Sequence, residues 1–264
     1  MAVPSRDRIN VDSVRKATNA LLKWKKKSLL SHDAIEEEAD DFIYLSVTLK
    51  KVPPRNLSVT PHRILLRRPL LSQDLSTLNI CLIVDGKRIT AESAQKILQA
   101  QGIPYIKKVF KLSKLKSDFN SFESKKKLHD SFDVFLADKS VEAVLPKVLG
   151  RVFYKKRKKI PVAVELGGDW KEELERACRT SLWCLSGGTC SAVRVGRLGA
   201  MEAQEIVENV YDAVDGVVEI VPRKWSGIRC LHLKFSDSLA LPIYEDEIQD
   251  GSLLGLKRKR ILGK

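Results

Sequence analysis

The sequence predicts an α/β block inserted into an α+β frame that is built from both ends of the chain. Three observations carry this. Residues 79–166 alternate short apolar runs with amphipathic stretches, the pattern of an open, mostly parallel sheet. The flanking segments have a different rhythm, with one helix and two strands before the block and two helices and two strands after it. Apolar residues make up 44% of the 264-residue chain, enough to bury a real core. The expected boundaries are 1–70 with 167–250 for the split frame, 71–166 for the insert and 251–264 for a basic tail. Two unrelated small domains around the block would give the same order of elements. No internal repeat is visible.

In "VDSVRKATNALLKWK" (11–25), Val11, Val14, Ala17, Leu21 and Trp24 recur at helical spacing, with Asp12 or Ser13 as the cap. An acidic run, Glu36–Asp41, precedes "FIYLSVTLKKV" (42–52), which alternates and is rich in β-formers, and Pro53-Pro54 ends that strand. "HRILLRRPL" (62–70) reads as a second short strand rimmed with arginines. "NICLIVDG" (79–86) is a continuous apolar run, as expected of a strand buried on both faces. A helix follows over 90–102, with Thr90 as cap and Gly102 as stop.

Next come a strand in "IPYIKKVFKL", a Lys-rich helix in "SDFNSFESKKKLHDS" and a buried strand in "FDVFLAD". "SVEAVLPKVLGRVFY" is a helix bent or restarted at Pro146, and "KKRKKIPVAVEL" is a basic loop entering a fourth strand. After Gly167-Gly168, Asp169 caps a helix over 169–181. "TCSAVRV" is a strand, the Gly-Arg-Leu-Gly of 196–199 a turn, "AMEAQEIVENVYDAV" a helix and 228–235 a last strand.

Composition narrows the function. The net charge of +14 and pI of about 9.6 call for a polyanionic partner, with nucleic acid ahead of an anionic membrane surface. The five cysteines are odd in number and contain no C-x-x-C pair. Neither a zinc site nor a disulfide framework is expected, and the compartment should be reducing. Cys230 and His232 share a strand face, but two ligands do not make a metal site. The N-terminus lacks the apolar core of a signal peptide, and no run approaches 18 apolar residues, so no membrane span is expected. Lys257, Arg258, Lys259 and Arg260 form a candidate nuclear-import cluster.

No catalytic pattern emerges. The turn after residue 84 lacks G-x-G-x-x-G, and "LSGGTCS" lacks the Gly-Lys-Ser/Thr of a phosphate loop. No base is placed beside Cys190, and none of His32, His62, His129 and His232 has an i,i+4 partner ligand. Asp85 and Asp138 stand at strand ends, where capping or turn formation suits them better than catalysis. Neither cofactor nor small-molecule substrate is expected.

The cations fall into three groups: Lys50, Lys51, Arg55, Arg63, Arg67 and Arg68; Lys107 to Lys116 with Lys125–Lys127; and Lys155–Lys159. Binding through them should weaken steeply with salt. Aromatic residues are only 6%, with no paired stacking motif, so folded RNA read by shape and backbone fits better than single-stranded bases.

Several ordered segments over residues 40–245 resemble the ribosomal protein L-one family. "AVRVGRLGAMEAQEIVENV" is similar to that family's strand, Val-Gly-basic turn and helix carrying Glu205, Ile206 and Asn209. "DFIYLSVTLKKVPPRN…HRILLRRPL" resembles its first two strands, with Phe42 at the family's aromatic position. "DVFLAD…LPKVLGR" resembles the central block, and "IRCLHLKFSDSLALPIY" the final strand and following loop. The resemblance implies a two-domain fold, a split α+β domain with an inserted Rossmann-like three-layer α/β domain. It also implies RNA binding mainly through the terminal domain, with the Val195-Gly196-Arg197 turn as a joint.

The sequence departs from the family where Thr-Met-Gly-Pro is replaced at Ser236, Asp237 and Ser238, and where the Gly-Pro-rich central loop becomes "LGRVFYKKRKKIP". These departures are similar to the nucleolar paralogues that act on pre-ribosomal particles. The expectation is a non-catalytic, nuclear or nucleolar ribosome-biogenesis factor, monomeric within its particle among assembly proteins, that binds rRNA or pre-rRNA. Its expected RNA contacts are Phe42, Lys50, Lys51, Arg55, Arg63, Arg194, Arg197, Lys234, Ser236, Asp237 and Ser238. The alternatives are a large-subunit stalk protein of mature cytoplasmic ribosomes and a protein-interaction adaptor.

Overall fold

The computed structural model describes residues 8–30, 41–55, 57, 60–71, 74–155 and 159–246. Residues 156–158 of the third basic group and the Lys257–Arg260 cluster lie outside them.

Helix α1 (Val11–Leu30) starts where expected. Its cap is Asn10, whose Oδ1 accepts from the Asp12 N–H at 2.9 Å, so neither Asp12 nor Ser13 fills that role. Val14, Ala17 and Leu21 are buried, whereas Trp24 is 40% exposed and Lys25 only 2%. Strand β1 (Phe42–Leu49) buries Ile43, Leu45, Val47 and Leu49 and leaves the alternate residues half-buried. Strand β2 is shorter than expected, His62–Leu65.

The middle of the chain follows the expected alternation with local breaks. Strand β3 (Ile80–Val84) is buried throughout. Helix α2 (Ala91–Ala100) is capped by Thr90 and ends before Gly102, whose φ is +64°. Strand β4 (Ile106–Lys111) runs directly into α3 (Leu112–Asp118). The expected Lys-rich helix is α4 (Phe122–Ser131), with its own Ser121 cap, and α3 is a further helix that precedes it.

Strand β5 (Val134–Asp138) precedes α5 (Leu145–Leu149) and α6 (Arg151–Tyr154). They are separated by Gly150 at φ +68°, so the chain breaks there as well as restarting near Pro146. Strand β6 (Val162–Val164) and helix α7 (Trp170–Cys178) complete this region. Asp169 caps α7 as expected, accepting from the Lys171 N–H at 3.0 Å.

The return path adds β7 (Thr180–Trp183), β8 (Cys190–Arg197), α8 (Ala203–Ile220), β9 (Ile228–Lys234) and β10 (Leu241–Glu245). Two corrections follow. The expected helix over 169–181 stops at Cys178, and its last residues are strand. A further strand, β10, follows the one expected to be last.

Three sheets result. One is antiparallel, in the order β10-β9-β1-β8, and draws on both chain ends. Its buried face packs on α8 and α1 through Leu45, Val193 and Leu231 against Val14, Ile206, Val210 and Val214. The second is parallel, in the order β4-β3-β5-β6, and comes from the middle of the chain. Helices cover both of its faces, giving two further apolar clusters. Helix α7 belongs here, with Trp170, Leu174 and Ala177 packed beside Leu82, Leu136 and Val164. It was expected to open the returning frame at residue 167. The third sheet is a two-stranded antiparallel ribbon of β2 and β7, with Leu65 opposite Thr180 and His62 opposite Trp183. Both passages of the chain between the larger sheets run through this ribbon.

Gly196 is a member of β8, not of the turn assigned to it, and the turn lies beyond Arg197 at Gly199, whose φ is +79°. A glycine is required at 196 by close approach: a Cβ there would lie 2.8 and 3.0 Å from the γ-carbons of Ile206. Ile206 is fully buried and β-branched, so it has little freedom to move aside. Gly196→Ala is expected to destabilise the fold by about 1–3 kcal/mol in urea unfolding. The Gly196→Ala/Ile206→Ala pair should cost less than the sum of the two single changes.

Candidate nucleic-acid interface

The face of the antiparallel sheet turned away from α1 and α8 carries Phe42, Tyr44, Ser46 and Thr48 from β1, none of which joins a buried cluster. Phe42 lies opposite Arg197 and Ile43 opposite Gly196, but Tyr44 lies opposite Arg194. Val195 is thus an extra residue, a bulge. In a regular strand residues three apart face opposite sides, and the bulge brings Arg194 and Arg197 to the same side. The guanidinium carbon of Arg194 sits 4.7 Å from the centre of the Phe42 ring and that of Arg197 5.5 Å. Both guanidinium groups thus lie within cation–π reach of one ring, which gathers two positive charges at one end of the open face. Tyr44 continues the row, between Arg194 on β8 and Lys234 on β9.

Asn209 fixes the bulge from behind. Its side chain is fully buried on α8, and its Nδ2 donates to the Val195 carbonyl at 3.1 Å. The same amide donates to the Arg68 carbonyl at 3.1 Å, and its Oδ1 accepts from the Arg68 N–H at 3.0 Å. Arg67 and Arg68 therefore serve the fold: Arg67 pairs with Asp212 at 3.1 Å, and Arg68 lies 3.7 and 3.8 Å from Glu205 and Glu208.

The loop after β9 is also tied internally. Lys25 reaches out from its buried position on α1 to Asp237 at 2.8 Å. The Asp237 carboxylate is thereby neutralised by the protein itself. Ser238 accepts from the Phe235 N–H at 2.8 Å and donates to the Leu239 carbonyl at 2.9 Å. Its hydroxyl closes the turn.

The structure gathers Phe42, Arg194, Arg197, Lys234 and the 236–238 loop at one end of the antiparallel sheet. Lys50, Lys51 and Arg55 stand past the other end of β1, a strand of eight residues and so about 25 Å long. Lys50 pairs with Asp246 at 2.5 Å, and that ammonium holds the Asp246 carboxyl below its usual range. Arg63 lies elsewhere. Its Nη1 donates to the Ala163 carbonyl at 2.5 Å and lies 3.6 Å from Glu173, bracing β2 against β6 and α7.

Sequence reading missed Tyr44 and His232 on the open face, although the period-2 pattern of β1 and β9 was there to be followed. It also missed Lys25, which falls on the buried stripe of α1 four residues after Leu21. Beside Phe42 and Arg194 a cleft of about 210 Å³ opens toward the starts of β5 and β6, with Leu70, Asp133 and Ile160 in its walls.

At the opposite, carboxyl ends of the parallel strands, Ser140 donates to Asp138 at 2.5 Å and Lys139 pairs with Glu165. Asp138 thus serves its turn, and Lys139 keeps the Glu165 carboxyl low. Burial pushes the Cys178 thiol up to about 12 and raises that of Cys81. Exposed Cys190 lies 3.5 Å from the Thr48 hydroxyl. Among the described residues no group of three or more His, Cys, Asp or Glu side chains is placed to hold a metal ion, and no helix is long and apolar enough to cross a membrane.

Comparison with known proteins adds a lineage. A family model, Ribosomal protein L1p/L10e family, matches residues 21–239. The mouse Ribosomal L1 domain-containing protein 1 is 29% identical over 94% of this chain and 55% of its own length. A Schizosaccharomyces pombe protein that carries a provisional ribosome biogenesis name is 32% identical over 90% of this chain and 60% of its own length. The Arabidopsis large ribosomal subunit protein uL1z is 30% identical over 60% of this chain and 67% of its own. The chain spans little more than half the length of the first two.

Removing one partner of the Lys25–Asp237 pair should be asymmetric. Asp237→Ala leaves a buried ammonium without its counter-charge and is expected to cost about 1–3 kcal/mol, moderated by the 42% exposure of Asp237. Lys25→Met keeps the stem's packing and should cost less. Thermal and urea unfolding of the two variants checks the order.

Proposed function

The chain belongs to the ribosomal protein L1p/L10e family, and on that premise we propose that it binds folded pre-rRNA without catalysing a reaction and acts in the assembly of pre-ribosomal particles. The observation that carries this reading is the bulge that sets Arg194 and Arg197 together on Phe42, at the end of an open sheet face that also holds Tyr44 and Lys234. Two arginines gathered at one ring suit phosphate oxygens, and a rigid sheet suits RNA recognised by shape. The cleft beside Phe42 makes the surface concave, with the parallel sheet as its far wall.

Within this reading the chain works as two units. The frame, residues 1–70 with the return from about residue 179 to 250, supplies the RNA face. The inserted unit runs from 71 through α7. The packing of α7 on the parallel sheet supports the later boundary. A nucleolar or nuclear site of action, assembly proteins as neighbours and one copy per particle belong to the same proposal. Two Schizosaccharomyces pombe relatives with provisional ribosome biogenesis names match over 90% and 94% of this chain, against 60% for the ribosomal subunit protein, which supports the assembly reading.

Arg194→Glu/Arg197→Glu is expected to weaken binding to a structured pre-rRNA fragment by tenfold or more and to flatten the salt dependence by about two phosphate contacts. Arg63→Glu should lower the melting temperature and leave affinity near that of the parent. Unchanged affinity in the first variant would remove the sheet face from the proposal. Sedimentation of particles tests the rest: the chain should travel with precursor particles and be absent from translating ribosomes.

A further inference from the structure

Several cations of the frame and the ribbon are engaged in ion pairs: Lys25 with Asp237, Lys50 with Asp246, Arg63 with Glu173, and Arg67 with Asp212. The outer edge of the parallel sheet is richer in lysine and poorer in acid. Residues 106–118, β4 and α3 together, contain five lysines and a single acid, Asp118. Lys107, Lys114 and Lys116 are exposed, and none forms an ion pair with a described residue. Lys108, also exposed, lies over the Phe110 ring at 4.8 Å.

The surface continues at the carboxyl end of β3. Gly86 approaches the Lys111 stem, with a Cβ at that glycine falling 3.6 Å from the Lys111 Cγ. This places exposed Lys87 beside the same group. Protection of a sheet edge against pairing explains lysines on β4. It does not explain those on α3 or in the β3–α2 loop, which are not part of the edge.

We propose that this edge is a second RNA-binding surface, which takes the phosphate backbone of an RNA helix distinct from the one on the antiparallel sheet. The ligand class follows from what the segment exposes. Its apolar residues Val109, Phe110, Leu112 and Leu115 are buried, so the outer side presents lysine and serine with no apolar anchor. Protein interfaces are depleted in lysine and centre on buried aromatic or aliphatic anchors. A phosphate backbone needs only point charges. On β4 and α3 the cations are all lysines, point charges that suit contact independent of sequence, and Arg88 beside Lys87 is the arginine nearest to them in the chain.

Position makes the surface a separate one. The cleft beside Phe42 meets the parallel sheet at the starts of β5 and β6. Lys87 and Lys111 stand at the strands' other ends, about 17–20 Å away along strands of five or six residues. The chain thus bridges two RNA helices, one at each end of its inserted unit. Only the ligand class rests on the RNA-binding reading above.

The test uses the full chain and two differently labelled RNA duplexes of unrelated sequence, with binding followed by a salt titration and bridging by energy transfer between the labels. Lys107→Gln/Lys114→Gln/Lys116→Gln/Lys87→Gln is expected to lower the slope of log K against log salt by about 3 and to abolish energy transfer. These exposed changes should leave the melting curve as in the parent. Arg194→Glu/Arg197→Glu, by contrast, should abolish transfer while the protein still binds one duplex. An unchanged slope and unchanged transfer in the lysine variant overturn the second surface alone. A loss of polyglutamate binding in that variant, with RNA binding intact, overturns it in favour of an acidic protein. If only the arginine variant is without effect, the sheet face fails and the lysine edge stands.

Discussion

One buried carboxamide holds the working parts of this molecule in register. Asn209 spends its amide on Val195 and Arg68 and its carbonyl on Arg68 again, so a single side chain joins α8, the bulged strand β8 and the passage leaving the frame. A bulge leaves backbone groups out of the regular ladder, and burying them unpaired is costly. Here the carbonyl of the extra residue has a fixed donor behind it. The two arginines at the open end of the sheet owe their shared direction to that bulge, so the electrostatics of the face depend on a hydrogen bond on the reverse side.

The frame and the ribbon divide charge between structure and surface. Acidic residues on α8 and α7 engage the arginines of β2 and its connection, which turns a run that looks like a nucleic-acid patch into bracing. The loop after β9 follows the same logic, since its carboxylate is held by a buried lysine. The open end gathers one ring, two guanidinium groups within cation–π reach of it, and one more amine. Basicity in the sequence therefore overstates the cationic surface along β2 and its connection, while on the parallel sheet's outer edge it reads nearly at face value.

Much of the fold was legible because apolar periodicity and caps act locally. The run at β3, the Thr90 cap with its Gly102 stop, and the Asp169 cap all have causes within a few residues. What escaped was decided at a distance. The bulge at Val195 depends on pairing with β1, and alternation alone would have turned Arg197 inward. Lys25 is buried because Asp237, far along the chain, receives its charge. Strands β7 and β10 are short and take their identity from neighbours contributed by other parts of the chain. The site was legible to the same extent: residue types were visible, but which arginines brace and which face outward is a tertiary fact.

The split origin of the antiparallel sheet also governs the order in which the molecule can be assembled. Strand β1 finds its ladder partners only in β8 and β9, more than half the chain length later. The parallel strands, by contrast, come from one uninterrupted stretch. As the chain leaves the ribosome, the middle can condense while an apolar β1 is still waiting for partners not yet made. Contacts between such distant segments form slowly and leave hydrophobic edges uncovered in the meantime. The open face of the antiparallel sheet is thus completed later than the parallel sheet, and a chain cut short before β9 has no such face to offer.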